Sequence, residues 1–164
     1  MLINLRPLAR FLLKMPRIDA IRPVEATMKR QRILIVDDDP VIIKAVSMKL
    51  VPAGYEILTA VDGTEGIASA RKQKPDLILL DINFPNDVGM SWDGFQVIAW
   101  LQRVDEAKGT PVIVISGGDP AKFKARALQA GAIAYLQKPV NNDELLALIK
   151  QTLAAPAKPA PAQN

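Results

Sequence analysis

The sequence predicts an α/β protein built on a five-stranded parallel sheet, doubly wound by helices on both faces. Three observations predict it. Short apolar runs alternate with segments of helical period five times between Arg32 and Leu153. Several of those runs are apolar throughout, the pattern of strands covered on both faces. Two of the helical segments open on Asp-Pro, a cap followed by proline at the first helical position. Alternating strand–helix units of this kind connect by right-handed crossovers into a parallel sheet. At 164 residues, 49% of them apolar, the chain is long enough for one domain with a real core.

The elements follow in order. ILIVD (33–37) is the first strand, and Asp39-Pro40 opens a helix with Ile42, Val46 and Leu50 on one face. YEILTA (55–60) is the second strand and DGTEGIASARKQ (62–73) the second helix. LILLD (77–81) and GFQVIAWLQRVDEA (94–107) form the third pair. VIVIS (112–116) is the fourth strand; Asp119-Pro120 starts a helix carrying Phe123, Ala127 and Leu128, and Gly131 supplies its stop. IAYL (133–136) and NDELLALIKQTL (142–153) complete the series.

The domain so defined runs from 31 to 153, with a flank on either side. Residues 1–30 place Leu5, Leu8, Leu12 and Met15 on one helical stripe, and Arg6, Arg10 and Lys14 on another. That is a short basic amphipathic helix, read as a dispensable leader, a partner contact or a membrane-surface contact. Its longest apolar run is three residues, too short for a membrane span or a secretory signal. Residues 154–164, AAPAKPAPAQN, predict an extended, disordered tail.

Composition removes several kinds of chemistry. The chain has no cysteine and no histidine. Disulfides, thiolate or imidazole metal sites and histidine acid–base catalysis are therefore excluded, and the lack of cysteine fits a reducing cytoplasm. Any metal must be held by oxygen, which favours Mg²⁺, Mn²⁺ or Ca²⁺. The net charge of +4 is uneven: of 21 basic and 17 acidic residues, seven and two lie in residues 1–30, leaving 14 and 15 elsewhere. The folded part is not a basic domain, and a nucleic-acid reading would rest on the leader alone.

In a parallel sheet the C-terminal strand ends share one edge, where ligands bind. Asp37 and Asp38 end the first strand, Asp81 the third and Ser116 the fourth, while Lys138 follows the fifth. Converging carboxylates raise one another's pKa unless a cation compensates, and a hard divalent ion does so with oxygen ligands. A phosphoryl group beside that ion would need a cation and a hydroxyl donor around its oxygens. Asp81 is the candidate nucleophile, Lys138 and Ser116 the candidate oxygen holders. Each has a plainer reading. Asp39 is a helix cap, Asp81 alone a turn residue, Ser116 alone carries no signal, and Lys138 alone is a surface lysine before Pro139. The argument lies in their ordered convergence.

The strings ILIVDDDP, GYEILTAVDGTEGI, PDLILLDINFP, PVIVISGG and AGAIAYLQKPV resemble the receiver domain of bacterial response regulators in two-component signalling, from about Arg32 to Leu153. The resemblance implies a flavodoxin-like (βα)5 fold with strand order 2-1-3-4-5. It implies Mg²⁺, with Mn²⁺ as an alternative, held by Asp38 directly, by Asp37 mainly through water, by Asp81 and by the backbone carbonyl of Asn83. Asp81 would be the phosphoacceptor, with Ser116 and Lys138 around the phosphoryl group and a cis Lys138–Pro139 bond. Tyr135 stands at the aromatic switch position, following the hydroxyl residue inward on phosphorylation and remodelling the face of the fourth helix, fifth strand and fifth helix. The implied partners are a sensor histidine kinase or phosphotransfer protein and an output protein on that face, or a second copy in a homodimer.

Such a protein catalyses its own phosphorylation and dephosphorylation without turning over an external substrate. No helix-turn-helix follows Leu153, so direct DNA binding is not expected. One departure stands out: Pro85 to Gly94, PNDVGMSWDG, is about five residues longer than the usual spacing beside the site. Gly89 and Trp92 could make a lid or docking surface there, or the insertion could be padding. The main rival reading is a haloacid-dehalogenase-like phosphatase with Asp37 as nucleophile, since Asp37, Asp39 and Val41 fit its DxDx(T/V) motif. A receiver used only for phosphorylation-independent binding is the other.

Overall fold

The computed structural model describes residues 30–83 and 93–155. The expectations for the leader, for the lengthened loop as far as Trp92 and for the tail beyond Ala155 lie outside the described residues. The order is β1 (Arg32–Val36), α1 (Pro40–Leu50), β2 (Glu56–Ala60), α2 (Gly63–Gln73), β3 (Leu77–Leu80), α3 (Gly94–Leu101), β4 (Val112–Ser116), α4 (Pro120–Ala130), β5 (Ala134–Gln137) and α5 (Asn142–Ala154). The strands form one parallel sheet in the order β2-β1-β3-β4-β5.

Strand parity divides the interior in two, because successive side chains point to opposite faces. Leu34, Val36, Ile78, Leu80, Val112 and Val114 face one way, against Ala70 of α2, Phe95, Val97, Ile98 and Leu101 of α3, and Ala127 of α4. Ile33, Ile35, Leu77, Leu79, Ile113 and Ile115 face the other way, against Val46 and Leu50 of α1 and Leu145 and Ile149 of α5. The unbroken apolar runs thus serve two cores at once. Helix α4 is the least embedded: only Ala127 is buried along its eleven residues, whereas α3 buries five of eight.

The helix starts follow from their caps. Asp39 Oδ1 accepts the Val41 N–H at 2.8 Å and Asp119 Oδ1 the Ala121 N–H at 2.9 Å, each with proline at the first turn. Asp93 and Gln96 form a reciprocal capping box at α3. Gly131 closes α4 at φ 114°. Gly94 is required for a different reason: a Cβ there would lie 2.4 Å from the Ile82 Cα, so α3 can approach the segment after β3 only without a side chain.

One expected element is shorter than its pattern. The helix from Gly94 ends at Leu101 rather than at Ala107, and residues 102–109 form turns. Within residues 102–109 only Ala107 is buried, so the charged run offers no apolar face to hold a helix on the sheet.

Candidate functional site at the C-terminal strand edge

Register brings the chemistry together. Val36 pairs with Leu80, so Asp37 and Asp81 leave adjacent strands side by side. Their backbones extend the ladder by one step, Asp37 N–H to Ala60 O at 3.1 Å and Asp81 N–H to Val36 O at 2.8 Å. Ser116 pairs with Gln137, and the Lys138 N–H bonds to Ser116 O at 2.9 Å, which sets Lys138 at the same edge. The Lys138–Pro139 bond is cis, as expected.

Carboxylate oxygens of Asp37, Asp38 and Asp81 lie within 4.8 Å of one another. Asp37 and Asp81 are buried at 2% and 5% exposure, while Asp38 is open to solvent. Lys138 Nζ donates to Asp37 Oδ2 at 2.7 Å and to Asp81 Oδ2 at 2.5 Å. One ammonium therefore faces three carboxylates, and the cluster keeps a negative balance that a cation would meet. Burial pushes the Asp37 carboxyl above its ordinary value and the Asp81 charge adds to this, while Lys138 and the Asp39 N–H pull the other way without cancelling it. For Lys138 burial works against the charged form, but the hydrogen bonds and charges of Asp37 and Asp81 outweigh it, and its pKa rises.

The donor set suits a hard ion: oxygen ligands only, two of them on buried residues and one on a residue exposed to solvent. Asp39 is not in the cluster. Its carboxylate caps α1, which is the plainer of its two readings, and it leaves the phosphatase motif without its second aspartate at this site.

The remaining predicted residues surround the cluster. Asn83 donates its backbone N–H to Asp81 Oδ1 at 2.9 Å and its side-chain Nδ2 to Ser116 Oγ at 2.8 Å. Ser116 is wholly buried, and its Oγ also accepts the Gly118 N–H at 3.2 Å. Tyr135 is buried, with its hydroxyl donating to the Gly118 carbonyl at 2.8 Å. Sequence reading missed Gly118 as the link between Ser116 and Tyr135. Its place two residues after Ser116 marks Gly118, with Asn83, as a position expected to tune the phosphorylated lifetime, but not as this link; a Cβ on Gly118 would come 2.4 Å from the Phe123 ring. It also missed Arg126 of α4, which pairs with Asp93 at 2.7 Å and lies 3.9 Å over the Phe95 ring.

Comparison with known proteins agrees with this geometry. The family described as the response regulator receiver domain matches residues 33–150. Protein PilH of Pseudomonas aeruginosa is 37% identical over 123 residues, 75% of this chain and 98% of PilH. The DNA-binding dual master transcriptional regulator RpaA of Synechocystis sp. is 39% identical over 122 residues, 74% of this chain but 48% of RpaA, so the chain spans about half of that relative. Among solved structures, a CheY-like receiver domain protein from Methanospirillum hungatei superposes with a TM-score of 0.68 at 33% identity, covering 76% of this chain and 94% of that one. The receiver domain of sensor histidine kinase PA1611 from Pseudomonas aeruginosa, with magnesium coordinated in its active-site cleft, superposes with a TM-score of 0.68 at 27% identity, covering 77% and 99%. A match of that extent over the whole sheet settles the family: this chain belongs to the response regulator receiver domains of two-component signalling.

Proposed function

We propose that the protein accepts a phosphoryl group on Asp81 from the phosphohistidine of a partner kinase or phosphotransfer protein, and thereby switches an interaction surface. The observation that carries this reading is the Lys138 ammonium held between Asp37 and Asp81 beside the exposed Asp38. In the transfer an Asp81 oxygen forms the new O–P bond as the donor's N–P bond breaks, and the imidazole nitrogen leaves with the electron pair. Asp81 is aimed for this by the Asn83 N–H on one oxygen and Lys138 on the other. Lys138 can pass from the carboxylate to a phosphoryl oxygen, and the Ser116 hydroxyl can donate to another. Asp37, Asp38, Asp81 and the Asn83 carbonyl would hold Mg²⁺, or Mn²⁺ in its place, which when bound neutralises phosphoryl charge. Because the chain has no histidine, the donor is another protein or a small phosphodonor.

The output is read on the face of α4, β5 and α5, where Leu128 and Ile133 are exposed and Tyr135 connects to the site through Gly118. The partner there is a protein or a second copy of the chain. The protein acts on itself alone and turns over no external substrate. No described helix is long and apolar enough to cross a membrane, and the cysteine-free composition supports a cytoplasmic setting. The test is labelling by acetyl phosphate with Mg²⁺, followed by intact mass. The wild type should gain one phosphoryl group and Asp81→Asn none; labelling of that variant at the wild-type rate would refute the assignment.

A further inference from the structure

The transfer described above uses the Asn83 main chain and leaves its carboxamide without a task. That carboxamide is nevertheless well placed. Asn83 reaches two reacting partners with two different N–H groups: the backbone one binds Asp81 Oδ1 at 2.9 Å and the Nδ2 one binds Ser116 Oγ at 2.8 Å. It is a bridge between the carboxylate and the hydroxyl, across 33 residues of sequence.

A serine hydroxyl has two acceptor lone pairs and one proton, and when unconstrained it rotates to suit its surroundings. Ser116 Oγ accepts from Asn83 Nδ2 and, at 3.2 Å, from the Gly118 N–H. Both lone pairs are thereby occupied, and with the residue fully buried no water competes for them. Only the proton is left over, confined to the one remaining tetrahedral direction. We propose that Asn83 is a positioning residue: its carboxamide fixes the Ser116 hydroxyl as a donor, so that an arriving phosphoryl oxygen meets a proton and not a lone pair. The inference rests on the phosphoacceptor reading of Asp81. It also extends towards Tyr135, because the Gly118 whose N–H holds Ser116 is the residue whose carbonyl holds the Tyr135 hydroxyl. Orientation of one proton at Ser116 is therefore tied to the seat of the switch aromatic.

The experiment is a double-mutant cycle on the full chain, read as affinity for beryllium fluoride, a phosphoryl analogue, at saturating Mg²⁺ by calorimetry. Asn83→Ala removes the carboxamide but keeps the backbone carbonyl and N–H. Saturating Mg²⁺ keeps any change in metal affinity at the Asn83 carbonyl out of the comparison, and the Ser116 backgrounds separate loss of the hydroxyl's orientation from a general disturbance of the site. Beryllium fluoride affinity should fall about tenfold, the equivalent of one hydrogen bond at the upper end of its usual net value. In a Ser116→Ala background Asn83→Ala should cost nothing further, since there is no hydroxyl to aim. In a Ser116→Thr background, where the hydroxyl is kept and no N–H is orphaned, the tenfold loss should return.

Equal losses from Asn83→Ala in the Ser116→Ala and Ser116→Thr backgrounds would overturn the positioning role, as would no loss in the wild-type background. Failure of the wild type itself to bind beryllium fluoride would instead overturn the phosphoacceptor reading, and this inference with it.

Discussion

Replacing Lys138 by Met tests the electrostatic core of the site, because it removes the ammonium and keeps the apolar stem. In the wild type the two carboxylates that this ammonium contacts have side chains only 4% and 6% exposed, and Lys138 itself is 18% exposed. Without it, two buried carboxylates face each other with no neutralising partner among the described residues. Breaking a buried ion pair from one side costs about 3–5 kcal/mol, and the lower end applies here because Asp37 can take up a proton to relieve the repulsion. A loss of about 3 kcal/mol lies within the usual stability of a domain this size, so the variant still folds. With a urea slope of about 2 kcal/mol per molar, the midpoint should fall by roughly 1.5 M. The assay is urea unfolding followed by circular dichroism, in EDTA and again in Mg²⁺. Added cation should narrow the gap between variant and wild type, because it supplies to Asp37 and Asp81 the charge that the variant lacks. An unchanged midpoint in EDTA would refute the reasoning, and so would a gap that Mg²⁺ leaves as it was.

Two other perturbations probe the same rim. Asp37→Asn should raise Tm by a few degrees in EDTA at pH 7 and largely abolish the added stability from Mg²⁺. The sign follows from the raised Asp37 pKa: its contribution is full below the unfolded value near 3.8 and is lost as pH rises through the folded value, so at neutral pH the ionised carboxyl destabilises the metal-free fold. The gain should accordingly vanish on repeating the melts below pH 3.8, and a gain that persists there would contradict the assignment. Gly94→Ala forces a methyl group against the Ile82 backbone, a clash that no side-chain rotation relieves. It should cost about 1–3 kcal/mol in urea unfolding and slow Asp81 labelling by displacing the residue between Asp81 and Asn83; wild-type stability would show that α3 sits farther from the site than described.

Much of this was legible in the chain because it depends on local chemistry. Apolar runs long enough to cross a sheet, Asp-Pro at two helix starts and Gly131 at a helix end each report a backbone requirement met within a few residues. The strand edge was legible too, since parallel topology forces Asp37, Asp81, Ser116 and Lys138 to one side once the strands are assigned. What escaped notice depends on contacts between distant segments. The bond from Asn83 Nδ2 to Ser116 Oγ spans two loops, and nothing in either string announces it. Tyr135 finds a backbone carbonyl, an acceptor that every residue carries, so residue identity could not point to Gly118. The end of α3 was overestimated because RVDEA is compatible with a helix by propensity, and only the lack of a continuous apolar face between Leu101 and Ala107 decides against it.

The sheet acts as a bulkhead between two sealed compartments, and the least embedded helix belongs to only one of them. Re-seating α4 would disturb the side shared with α2 and α3 while the packing of α1 and α5 behind the strands stays closed. A shift of α4 would thus change the outer contour of the protein while the core between the strands and α1 and α5 keeps its packing.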